Sequence, residues 1–111
     1  MIRRNLLLTG AVLVTVGYDA TMSVYSVVGA DEVFTGTATG NGERGQINLT
    51  NGQGKTCLGQ FVGSPSTGGR GLLTCNDGER AQIQYTVLTW LSGYGFGTTT
   101  SARTIRFVSR G

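Results

Sequence analysis

Residues Cys57 to Gly78 read CLGQFVGSPSTGGRGLLTCNDG. Apolar and polar residues alternate on either side of a small, proline-containing centre, which is the period of half-buried strands flanking a turn. The glycines fall at regular places between those alternations, as turn and bulge positions do and a flexible linker does not. A hairpin centred on Ser66 sets Cys57 opposite Cys75 and Phe61 opposite Gly71. The stretch closes on Asp77-Gly78, a dipeptide that accepts the positive φ of a type I′ turn.

The pattern recurs on both sides. Arg44-GQINLTN-Gly52 aligns without a gap with Arg70-GLLTCND-Gly78, 26 residues later. A third copy follows after 24 residues, where Gly69-x-Gly71 and Gly78 are matched by Gly93-x-Gly95 and Ala102. Ser101-Ala102 replaces Asp77-Gly78 there and tolerates positive φ poorly, so a turn of another type is expected. Phe34-x-Gly36 and Cys57-x-Gly59, 23 residues apart, share a further mark.

Strands are predicted over 23–28, 32–39, 45–50, 56–62, 71–75, 81–89, 95–100 and 103–109. One face of each is apolar and the other carries Gln, Asn, Thr and Arg, as in antiparallel strands with one wet face. The expected core is Tyr25, Val27, Phe34, Ile47, Leu49, Phe61, Leu73, Ile83, Tyr85, Val87, Ile105 and Phe107. The fold class is therefore all-β: antiparallel repeated β-hairpins forming a coiled sheet or small open barrel, with an extended hairpin array as the alternative. Either must pair, close or cover its edges.

The chain of 111 residues suffices for one small domain. Its nineteen glycines and single proline show no G-X-Y period, which excludes collagen. Met1 to Asn5 is a short basic segment and Leu6 to Gly17 an apolar run of twelve, too short to span a bilayer and suited to a signal peptide. The expected organisation is a signal helix over 1–17 and a single hairpin-repeat domain over 18–111. Cleavage fits before Tyr18, and Val28-Gly29-Ala30 has similar small-residue logic. Part of the formal charge of +3 belongs to Arg3 and Arg4; without them seven cations face six anions. No basic patch interleaved with aromatics stands out, so no nucleic-acid partner is expected.

Val14-Thr15-Val16-Gly17-Tyr18-Asp19 resembles the lipobox of bacterial lipoproteins, in which a cysteine receives the lipid. Tyr18 stands at that position and has no thiol, so lipidation at this site is not expected. An aromatic-x-glycine strand, a glycine-x-glycine strand and a closing Asp-Gly resemble the MORN repeat over roughly 34–107, with Cys57 at the usual aromatic position. The C-x-G-x-F … G-x-G-x-L-x-C-x-D-G pattern is similar to that of small Gram-negative lipoproteins, and β-flower proteins share the hairpin architecture. These resemblances imply hairpins and a periplasmic or envelope location; they imply no defined activity.

Cys57 and Cys75 make an even pair in an exported chain, which favours a disulfide over two separate thiols. With no histidine, two cysteines do not make an ordinary zinc site, and neither a Ser-His nor a Cys-His nucleophile is available. Asp31-Glu32 and Asp77/Glu79 occupy routine turn and strand-end positions. No catalytic residues, metal or cofactor are expected. Leu88 to Phe96 (LTWLSGYGF) falls between the second and third copies, where polar residues belong. Trp90 and Leu91 either fold back to cap the sheet or join Tyr94 and Phe96 in an exposed cluster for a membrane surface or an envelope protein. Arg103 and Arg106 would assist such contacts. The expected function is a non-enzymatic envelope protein acting as a binding or structural module. The alternative is a membrane-surface or lipid-binding module using segment 88–96.

Overall fold

The computed structural model describes residues 20–41, 43–64, 66–89 and 92–111. The predicted signal segment, Tyr18, Trp90 and Leu91 lie outside the described residues. Eight strands follow one another: β1 (Ala20–Val28), β2 (Glu32–Gly40), β3 (Arg44–Thr50), β4 (Thr56–Ser64), β5 (Gly68–Cys75), β6 (Arg80–Thr89), β7 (Ser92–Thr99) and β8 (Thr104–Arg110). Each pairs antiparallel with the next, and β8 returns to β1 through a register running from Ser23↔Arg110 to Val28↔Ile105. The sheet is a closed up-and-down barrel, neither an open barrel nor an array. Closure satisfies the two edges that a hairpin series would otherwise leave exposed.

The hairpin containing the opening stretch has the expected register, with Cys57 opposite Cys75 and Phe61 opposite Gly71. Inward residues include Val24, Phe34, Ile47, Leu49, Leu73, Ile83 and Ile105, all buried. In an eight-stranded barrel the interior is just wide enough for side chains. Large inward residues therefore face glycine on a neighbouring strand: Phe61 beside Gly45 and Gly71, Ile83 beside Gly71 and Gly97, and Phe107 beside Gly95. At Gly95 a Cβ would overlap both the Phe107 ring and the Gln84 carbonyl oxygen, so the side chain's absence makes room for the aromatic.

In β1 the facing is the reverse of the expected one. Tyr25 is 49% exposed and Val27 also turns outward, while Val24, Ser26 and Val28 point in. The segment SVYSVV allows either phase, and a one-residue slip exchanges the faces. The inward phase puts small Ser26 opposite Phe34, leaving the ring its space. The buried Ser26 hydroxyl donates to the Arg106 carbonyl oxygen at 3.1 Å, which satisfies it.

The turns also differ from expectation. At Asp77-Gly78, Cys75 N donates to Glu79 O (2.8 Å), Gly78 N donates to Cys75 O (3.0 Å), and Gly78 has φ 94°. At Ser101-Ala102 the same bonds run from Thr99 N to Arg103 O (2.8 Å) and from Ala102 N to Thr99 O (2.9 Å), with Ala102 at φ 62°. Both are three-residue loops ending in a left-handed residue, not type I′ turns, and the third copy uses no different turn. The Thr99 hydroxyl accepts from Ser101 N and Arg103 N and so helps to hold alanine in a glycine's conformation. Asn51-Gly52 opens a wider loop that closes from Asn51 N to Lys55 O.

Candidate functional site

The up-and-down course gives the barrel two unlike ends. The turns after β1, β3, β5 and β7 gather at one end. The ends of β2, β4, β6 and β8 and the starts of β1, β3, β5 and β7 gather at the other.

The first end is filled. Phe34, Leu49, Leu73, Ala81 and Ile105 pack there with the Cys57–Cys75 disulfide and leave only about 20 Å³. Over this layer lies a chain of charges contributed by the turns after β3, β5 and β7 and by Glu32 at the start of β2. Lys55 Nζ lies 2.9 Å from Asp77 and 2.6 Å from Glu79. Arg103 lies 2.7 Å from Glu79 and 2.8 Å from Glu32, whose other oxygen accepts from the Asn51 amide. Lys55 also stands over the Phe34 ring, 6.0 Å from its centroid.

Burial by itself would raise the pKa of Glu79. Hydrogen bonds from Arg103 and Lys55, joined by Ser101 and Thr99, outweigh it and hold the carboxyl well below its ordinary value. Glu32 is lowered on the same balance, burial opposing and Arg103 and Asn51 prevailing. For Lys55, burial disfavours the charge, but Glu79 and Asp77 raise its pKa. A carboxyl with a lowered folded pKa contributes stability that is complete above its unfolded value and is lost as pH falls through the folded one. Acidification from pH 4.5, the ordinary value for Glu79, should therefore destabilise the barrel progressively. With its side chain only 9% exposed, Glu79 should account for about 2 kcal/mol of this. Urea midpoints measured from neutral to acid pH test it: Glu79→Gln should lower the neutral midpoint and flatten the acid slope, and a variant with the wild-type slope contradicts the assignment.

The described residues do not fill the second end. A cavity of about 140 Å³ opens there, walled by Met22, Val24, Ile47, Phe61, Ile83 and Phe107. Asn41, Thr89, Ser92 and Ser109 place polar atoms along its lining, and among the described residues no Asp, Glu, Lys or Arg lines it. Tyr85 also lines it. The Tyr85 ring packs edge-on against Phe61 with centroids 5.4 Å apart, between Gly69 and Gly95 on the flanking strands. Its hydroxyl is buried, has no hydrogen-bond partner among the described residues, and abuts Gly63, where a Cβ would stand 2.6 Å away. Burial raises the Tyr85 pKa, so the hydroxyl stays protonated.

The residues singled out for partner contact are divided by this geometry. Tyr94 and Phe96 belong to β7, not to a loop, and point outward at 45% and 56% exposure. Arg106 is beside Phe96 on β8, also outward. Arg103 is in the ion chain at the filled end, away from them. In the sequence the cavity's walls read as ordinary core, and its one signal is the run of inward glycines beside Tyr85 and Phe107.

These features define a class: a small eight-stranded up-and-down β-barrel, packed at one end and with a cavity among the described residues at the other. The fold is similar to that of a redesigned β-barrel, mFAP1, whose structure was solved bound to DFHBI. The TM-score is 0.67 at 15% identity, covering 83% of this chain and 93% of that one. No protein-family model and no curated protein matches the chain.

Proposed function

We propose that this chain is an exported, non-enzymatic cell-envelope protein that holds a small apolar molecule in its barrel. The observation that carries the reading is the apolar 140 Å³ cavity at the unfilled end, free of charged lining among the described residues. Cavities of about this size, lined by aliphatic and aromatic side chains, accept a single aromatic ring. A charged ligand would lose hydration there with no charge among the described residues to meet it. The likeness to a barrel solved bound to DFHBI agrees with this use of the fold. The N-terminal basic and apolar segments and the Cys57–Cys75 disulfide support export into an oxidising compartment. The lipobox-like Val14–Asp19 segment and the MORN-like hairpins support a relationship to small Gram-negative lipoproteins, with Tyr18 in place of the lipid-bearing cysteine.

Titration with toluene, followed through the methyl NMR signals of Met22, Ile83 and Val87, tests the binding. Shifts confined to the cavity walls are expected, and Ala38→Leu, which fills the lumen, should abolish them. Unchanged spectra at saturating toluene would remove the reading. Mass spectrometry of the N-terminus from fractionated cells tests export: an intact Met1 in cytosolic protein contradicts it.

A further inference from the structure

The outer wall of the barrel has an uneven chemistry. Outward strand positions carry Arg44, Arg70, Arg80, Arg106 and Arg110, and among the described strands no outward position carries Asp or Glu. The carboxylates stand in turns (Asp31, Glu43, Asp77) or in the inward ion chain (Glu32, Glu79). None of the five outward arginines makes an ion pair with a described residue.

On β7, β8 and β1 this charge coincides with exposed apolar and aromatic side chains. Phe96 sits opposite Arg106, which is opposite Val27; Tyr94 sits opposite Val108, which is opposite Tyr25. Tyr25, Tyr94, Phe96 and Val108 are each 45% to 56% exposed. Arg110 is opposite Ser92 and Ser23, at the cavity's end of the same strands. The wall of β4 and β5 also exposes Leu58, Val62 and Leu72 beside Arg44 and Arg70, but it carries no outward aromatic residue.

We propose that the β7–β8–β1 wall docks the barrel on an anionic lipid surface. Tyrosine favours the headgroup boundary, where its ring is in apolar surroundings and its hydroxyl is wet, and phenylalanine sinks its apolar ring just below it. Arginines without carboxylate neighbours are attracted to lipid phosphates, each contributing roughly fivefold near an anionic bilayer. An arginine stem lies along apolar surface while its head reaches the charge, which suits Arg106 between Phe96 and Val27. Docked this way, the barrel holds its unfilled end beside the lipid headgroups. The inference stands apart from the occupant of the lumen, since it uses only outward residues.

Flotation of the full chain with vesicles tests it, using phosphatidylcholine alone or mixed with phosphatidylglycerol. Wild type should float with the mixed vesicles and be released by high salt. Arg106→Gln combined with Arg110→Gln should lose roughly twentyfold or more in binding, and Phe96→Ser should weaken what salt leaves. Arg44→Gln combined with Arg70→Gln, on the other wall, should change little. These substitutions are outward, so an unchanged urea midpoint certifies the fold. Absence of wild-type flotation overturns the proposal, as does an equal loss from the two arginine pairs; binding of an acidic protein without flotation also overturns it.

Discussion

Alanine at position 36 should cost the barrel about 3 kcal/mol or more, although it adds a single methyl group. A Cβ there overlaps the Asn48 carbonyl oxygen and reaches the Asn48 carbonyl carbon and Leu49 Cα. All three are backbone atoms, so no rotamer change relieves the contact. β2 and β3 must part, or β2 must bend away from Asn48 and Leu49. A small domain has only about 5–15 kcal/mol to lose, so Gly36→Ala should shift a large share of molecules into the unfolded state. Gly52→Ala is the comparison. Gly52 has φ 79° and nothing within 4 Å of its would-be Cβ, so alanine pays only for its backbone conformation, about 1 kcal/mol. Equal urea midpoints for the two variants would show that β2 and β3 do not approach as closely as described.

Loss of the Cys57–Cys75 disulfide should be nearly as costly, about 3 kcal/mol for a bond that closes a separation of 18 residues. It joins β4 to β5 within the filled end, and Cys57 is buried there against the apolar layer. The double variant Cys57→Ala, Cys75→Ala removes both the constraint on the unfolded chain and part of that packing. Its urea midpoint should fall well below wild type, as should that of wild type unfolded in reductant. If reduction leaves the midpoint unchanged, the pair contributes no constraint. Thiol titration of denatured, unreduced protein should find no free thiol.

All eight strands were legible from alternation and glycine spacing, because a strand's two faces are written locally. Closure was not. Nothing in Ala20–Val28 marks it as the partner of Thr104–Arg110, since that pairing depends on accumulated twist and register. The facing of β1 is not legible locally, because Tyr25 and Val27 outweigh Val24, Ser26 and Val28 on hydrophobicity alone. The observed facing sets small Ser26 opposite Phe34, a pairing across strands that local hydrophobicity does not reveal. The turn at Ser101-Ala102 is of a type other than I′, as expected, but so is that at Asp77-Gly78, and the expected difference between the two is absent. Propensity disfavours alanine at φ 62°, yet the Thr99 hydroxyl and the flanking hairpin hold it there. The ion chain was invisible because Glu32 and Arg103 are 71 residues apart. The cavity was hidden in plain core residues, because emptiness depends on what glycine leaves out.

The junction of β1 with β8 bears on how the molecule acquires its shape in time. Seven of the eight pairings join neighbours in the chain and form as local hairpins, for which microseconds suffice. The eighth joins Ser26 to Phe107, at opposite ends of the described chain, and needs a long loop closed before any contact rewards it. Folding is therefore expected to finish at this seam, with the ring closing only when the last strand pairs. Until then β1 and β8 are two unpaired edges, equally able to complete a neighbouring molecule's ring. Dilution during refolding should favour the single closed ring, and crowded refolding the exchanged one.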